Sequence, residues 1–182
     1  MKKIYALVAT VFALSSAFAQ TPSVLPIDEE TKKVTFAEVV TVEGVTKDEL
    51  YARAKNLGVL GNNTKTDNPA EGIYVYKGQI KVNYPAPQPG LQHNGVVDYL
   101  VTIACKDGRY KYTITDFKHS GEKASGGKLE GTLPECGKYT LTLTAWGSIK
   151  KQTKDQMDKF IEALKAKMAV KASTGGNKAN DW

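Results

Sequence analysis

Two histidines, two cysteines and two arginines among 182 residues leave this chain short of the side chains that most often carry chemistry. His93 and His119 form no H-x-x-x-H pair, so no local metal-ligand set is present and no cofactor is implied. Ser120 and Ser125 sit in a glycine-rich stretch without a nucleophile elbow. Gly126-Gly127 does not open a helix after a strand, as a phosphate-cradling loop would. The formal charge of +6 drops by two once Lys2 and Lys3 are set aside, and the remaining charges are interspersed. Nucleic-acid binders carry clustered Lys and Arg on a far more basic domain, so that class of partner is excluded. The longest apolar run, Ile4 to Leu14, is about half the roughly 20 residues that a membrane-spanning helix needs. A composition of 41% apolar and 24% charged residues excludes a disordered, collagenous or multi-spanning chain.

What the first 19 residues do contain is a basic start, that short apolar run and the small-residue ending Ala17-Phe18-Ala19. This is the pattern of a secretory signal peptide cleaved after Ala19, which predicts export to the periplasm or the cell exterior. The expected organisation is a signal peptide over 1–19, an extended leader over 20–33, one domain over 34–170 and a disordered polar tail over 171–182.

Within the domain, Val34, Phe36, Val40 and Val42 lie on the apolar side of a strand interrupted there only by Glu38. Thr46-Lys47-Asp48-Glu49 is a capping box opening a helix over 47–57, with Val45 and Leu50 at staple positions. Residues 61–71 read as a loop, and 73–84 as a strand with a bulge at Gly78. Around Asp107-Gly108 a hairpin pairs Cys105 with Tyr110, Ile103 with Tyr112 and Val101 with Ile114, all on one face. The same register, extended, sets His119 opposite Val96. Residues 120–127 read as a flexible connector and 128–133 as a short strand. Tyr139 to Ala145 alternates like a further strand, and Met157, Phe160, Ile161, Leu164 and Met168 stripe a helix from about Thr153 to Val170.

This order, strand, helix, four or five strands, helix, predicts an α+β domain: an antiparallel sheet of about five or six strands with two helices packed on one face. The strand around Phe36, the segment from Thr46 to Ala54, and the hairpin from Lys106 to Tyr112 with Ile114-Thr115-Asp116-Phe117 are similar to the domain of unknown function 4468 family. That family comprises small exported bacterial proteins whose fold is described as like that of the TATA-box-binding protein. The resemblance spans roughly residues 34–118 and implies the fold. It implies no activity, and the fold name does not imply DNA binding.

The function expected is a non-catalytic interaction or accessory module of the cell envelope. Its binding candidates are Lys106, Arg109 and Lys111 at the hairpin end, with Thr113 and Thr142 on a threonine-rich second face that also holds Thr102, Thr115, Thr140 and Thr144. Basic groups beside threonine hydroxyls suit an anionic contact: an envelope protein, an acidic glycan or a lipid headgroup. The alternative is a small hydrolase or metal-binding protein with a site near His93, Asp98, Asp116 and His119. Export favours a disulfide between Cys105 and Cys136. A simple meander would hold those residues at opposite ends of the sheet, whereas an ascending strand over 128–133 would bring them together, and both outcomes stand open from the residues alone.

Overall fold

The computed structural model describes residues 25–58 and 64–170; the expected signal peptide, the leader up to residue 24 and the expected tail lie outside the described residues. The elements are β1 (Phe36–Thr41), α1 (Lys47–Gly58), β2 (Thr64–Asn68), β3 (Ile73–Pro85), β4 (Gln92–Lys106), β5 (Arg109–Gly121), β6 (Gly127–Lys128) and α2 (Leu143–Ala169). They form one antiparallel sheet in the order β1-β5-β4-β3-β2, with the two-residue β6 also paired to β5. Alternate residues of the long strands, such as Tyr74, Tyr76, Val82, Val97, Val101 and Ile103, are buried beneath both helices.

α1 begins where its sequence dictates. The Thr46 hydroxyl accepts the Glu49 N–H (3.3 Å), and Asp107 from the hairpin turn accepts the Lys47 N–H (2.7 Å), so one turn caps the other element. Arg53, buried in this helix, pairs with Glu49 and donates through Nη1 to the Met168 carbonyl at 2.6 Å. A guanidinium at the last carbonyls of α2 meets the negative end of that helix.

α2 starts ten residues earlier than the spacing from Thr153 suggests. The expected strand over 139–145 is absent among the described residues: Tyr139 is 88% exposed, and Thr142 is the helix N-cap, its hydroxyl accepting the Ala145 N–H at 3.2 Å. Leu141, Ala145, Ile149, Thr153 and Met157 recur every fourth residue and are buried, a helical period that overrides the coincident threonine alternation. Thr153 is interior to the helix and donates to the Ile149 carbonyl (2.9 Å).

The expected loop at 61–71 holds strand β2, whose polar sequence suits an exposed edge; Asp67 is tied to α1 by Lys55 (2.8 Å) and Tyr51. The leader is part of the fold from Leu25, which is 4% exposed within the core. Behind it, Ile27 bridges Val34 around a turn in which Asp28 accepts both the N–H and the hydroxyl of Thr31 at 2.7 Å. Gly78 carries no bulge and pairs in register with Tyr99. The Tyr99 ring lies where a Gly78 Cβ would sit, so the glycine makes room for it.

The hairpin register holds as far as Leu100 and Thr115. Beyond it, Asp116 and Phe117 together oppose Tyr99, and His119 pairs with Val97, one residue away from the expected Val96. Asp116 takes φ 57° in this bulge. Inward positions on β5 are even before it (Tyr110, Tyr112, Ile114) and odd after it (Phe117, His119). A straight strand would turn Asp116 and Lys118 into the core. Burying an unpaired charge costs several kcal/mol, against about 1–2 kcal/mol for one left-handed residue, so the bulge wins.

His119 is fully buried between the rings of Tyr84 (5.3 Å) and Trp146 (6.2 Å). Its Nδ1 accepts the Gly126 N–H at 3.0 Å, which leaves the proton on Nε2. The connector is therefore pinned: Leu129 N–H donates to the Phe117 carbonyl, Lys128 N–H to Glu135, and the Trp146 indole to the Gly131 carbonyl. Because β6 spans only two residues, the chain never climbs back along the sheet. Cys136 stays at the Tyr84 end while Cys105 is at the Asp107 end, ten residues of strand from Gly95, or about 30 Å. The disulfide candidates are accordingly free thiols; Cys105 is buried, which pushes its thiol up to about 11.

Two consequences are measurable. Asp116→Val, placing a β-branched residue at positive φ, lowers stability by about 1–2 kcal/mol in urea denaturation, whereas Asp116→Asn stays within about 1 kcal/mol. The Lys33–Asp116 pair (2.6 Å) that both remove is surface-exposed and screened by solvent, so its loss weighs little beside the backbone term. For His119, burial lowers the pKa in the folded state. As pH falls through about 6.5 the unfolded chain binds a proton that the fold refuses, so stability is level above that pH and declines below it, by at most about 1.4 kcal/mol per unit. His119→Gln, whose carbonyl still accepts from Gly126, removes this slope between neutral pH and about pH 5.5, measured by urea midpoints across pH.

Candidate functional site: the open face of the sheet

Both helices cover one side of the sheet, and the strand register fixes what the other side presents. Across β5, β4 and β3 its rows are Lys111–Ala104–Ile73, Thr113–Thr102–Val75, Thr115–Leu100–Lys77, Lys118–Asp98–Gln79 and Ser120–Val96–Lys81. β1 adds Ala37, Val39 and Thr41 beside Thr113, Lys111 and Arg109. Val75, Leu100, Thr102, Ala104 and Thr113 at the centre are each half-buried by their neighbours alone.

Around that centre stand Lys77, Lys81, Lys106, Arg109, Lys111 and Lys118, all exposed. Against these cations the same rows hold one carboxylate, Asp98, which accepts from Gln79 Nε2 at 2.8 Å. Asp116, in the bulge, is engaged by Lys33, whose ammonium pKa is raised first by that hydrogen bond. Glu38, the acid on the apolar side of β1, lies at the other surface, bridging Lys165 of α2 (2.5 Å) and the Tyr112 hydroxyl (3.0 Å). Those two hydrogen bonds hold its carboxyl below the usual range. The open face is therefore a cationic field around an uncharged, β-branched and aliphatic middle. At its far end an open concavity of about 570 Å³ is lined by Lys81, Asn83, Asn94, Val96, Ser120 and Glu122 among others.

Of the residues expected from sequence, Lys106, Arg109, Lys111 and Thr113 lie on this face, with Thr102 and Thr115. Thr142 does not, and neither do Thr140 and Thr144, because their segment turns into α2 on the helical side. Sequence reasoning missed Lys77, Lys81 and Lys118. The signal was present in β3, where Lys77, Gln79 and Lys81 alternate with Gly78, Ile80 and Val82, but a presumed bulge at Gly78 obscured that parity.

The alternative constellation is dispersed. His93 and His119 both pack edge-on against Tyr84 (5.8 and 5.3 Å between ring centres), on the covered side. Asp98 faces the open side, and Asp116 is paired with Lys33. Among the described residues no cluster of three or more His, Cys, Asp or Glu is arranged to hold a metal ion. Nor is any described helix long and apolar enough to cross a membrane.

No curated protein matches this chain. Solved structures share its fold, among them the following two. A DUF4468 family protein from Bacteroides ovatus superposes with a TM-score of 0.60 at 15% identity, covering 80% of this chain and 91% of that one. A TBP-like protein from Parabacteroides distasonis gives 0.57 at 16% identity, covering 81% and 99%. The family described as "Domain of unknown function (DUF4468) with TBP-like fold" matches residues 36–120, from β1 to the end of β5. The fold, the register and this match agree: over residues 36–120 the chain is similar to the DUF4468 family and shares its TBP-like fold.

Proposed function

We propose that the protein is an exported, non-catalytic interaction module whose open sheet face docks the acidic surface of an envelope protein. The observation that carries this reading is the layout of that face, with six cations around a half-buried middle of Val75, Leu100, Thr102, Ala104 and Thr113. Protein interfaces place charge at the rim and deplete it at the centre. The cationic rim steers an acidic partner and speeds encounter, while the threonines supply hydrogen bonds at low desolvation cost. A glycan or lipid headgroup would use the rim and leave the aliphatic middle without a counterpart. Support for export is the tripartite segment ending Ala17-Phe18-Ala19.

The test is cross-linking in intact cells, followed by binding of the purified partner. The exported chain is expected to begin at Gln20 by intact mass and to capture an acidic protein, with binding that weakens as salt rises. The double variant Lys77→Glu, Lys111→Glu loses that partner while its unfolding free energy in urea changes by less than about 1 kcal/mol, as befits exposed positions. Unchanged capture by the double variant overturns the assignment, as does binding transferred to anionic vesicles or acidic glycans with no protein recovered.

A further inference from the structure

A sheet with two ends has edges to protect, and this one protects them unequally. At the free part of the β3 edge, α2 supplies the missing ladder. Gln152 accepts the Asn83 N–H (3.1 Å) and donates to the Asn83 carbonyl (2.6 Å), and Gln156 donates to the Lys81 carbonyl (2.9 Å). The β2 edge is short and polar, with Lys65 and Asp67 within its five residues. Both are ordinary guards against strand addition.

Among the described residues the outer edge of β1 has neither guard. Thr35 N–H points outward to the Pro26 carbonyl (3.0 Å), and Val42 N–H points inward to the Gly108 carbonyl (2.8 Å). Strand alternation then aims the N–H and C=O groups of Ala37, Val39 and Thr41 outward. Among the described residues nothing pairs with them, since the described part of the leader, from Leu25 on, reaches this edge only at Thr35. The side chains of these three are uncharged and exposed, Val39 at 58%.

We infer that the β1 edge is a self-association site at which a second copy of this chain adds its own β1 antiparallel, joining the two sheets into one. The strand is self-complementary about Val39. Val39 of one copy faces Val39 of the other and Ala37 faces Thr41, each pair exchanging both backbone bonds. No like charges meet at the seam, because Glu38 falls opposite Val40 of the other copy and is already held by Lys165. The nearest open-face cations, Lys111 of each copy, stand three strand spacings apart, roughly 14 Å, beyond the Debye length of about 8 Å at physiological salt. Gly44, at φ 73°, lies in the turn that follows β1, which ends the paired stretch.

The experiment is the oligomeric state of the full mature chain by sedimentation and light scattering across the micromolar range. Val39→Pro, which deletes an outward N–H, and Val39→Lys, which sets like charges on the two-fold axis, are the probes; Val39→Ile is the control. A wild-type dimer is expected, with its dissociation constant raised about tenfold or more by both probes and unchanged by the control. Val39→Lys keeps the test valid should proline disturb β1, and an unchanged urea midpoint reports folding. A wild-type chain that stays monomeric overturns the inference, as does a dimer indifferent to both probes. A monomer whose Ala37, Val39 and Thr41 amides resist hydrogen exchange places another segment on the edge and also overturns it. The probes leave all six open-face cations intact, so this result is independent of the docking proposal.

Discussion

A strand with one buried face is held to a parity, and β5 can satisfy its neighbours only by changing parity once. Up to Ile114 its even residues serve the core beneath the helices; from Phe117 its odd residues do. The extra residue at Asp116 reconciles the two, and much of the second half of the molecule depends on the exchange. It sends Phe117 against Phe36 and Tyr99, puts His119 under Trp146, and brings the connector within reach of His119 Nδ1. It also leaves Lys118 on the open side, where it joins the cationic rim rather than opposing the core.

Much of the sheet was legible in the residues because hairpin pairing is a local matter. Two alternating runs around Asp107-Gly108 admit one register that buries one face, and that register is observed from Lys106↔Arg109 to Leu100↔Thr115. α1 was legible for a similar reason, since its cap and staple lie within a few residues of one another. The misreadings share a different cause. Thr140 to Thr144 satisfies both the two-residue and the helical period, and the decision rests on Ile149 and Met157, well downstream. β2 has no apolar face to announce it; it is a strand because Tyr74 and Val75 offer it a ladder and Asp67 finds Lys55 and Tyr51 on α1. The leader, likewise, is ordered by a bridge to Val34 and by Leu25 reaching the core.

The candidate site was half legible. Residues near the hairpin turn, Arg109, Lys111 and Thr113, follow from local alternation, and they lie where alternation puts them. Lys77 and Lys81 belong to the same surface only because β3 crosses beside β4, a relation between distant segments that required the parity of β3 to be followed through Gly78. Thr142 shows the converse: residue type and spacing alone placed it on a face from which the start of α2 removes it.

The clasp between Arg53 and the Met168 carbonyl bears on the order in which the molecule can be completed. A guanidinium in the first helix is buried beneath a peptide group near the end of the last, 115 residues later in the chain. A polypeptide delivered from its N-terminus by a ribosome can pair that guanidinium with Glu49 of the same helix, but its Nη1 has no acceptor until nearly all of α2 has arrived. Premature closure of α1 on the sheet is thereby penalised, and the last helix acts as the bolt that allows the first to seat. Vectorial delivery and final packing are in this way coupled through one side chain.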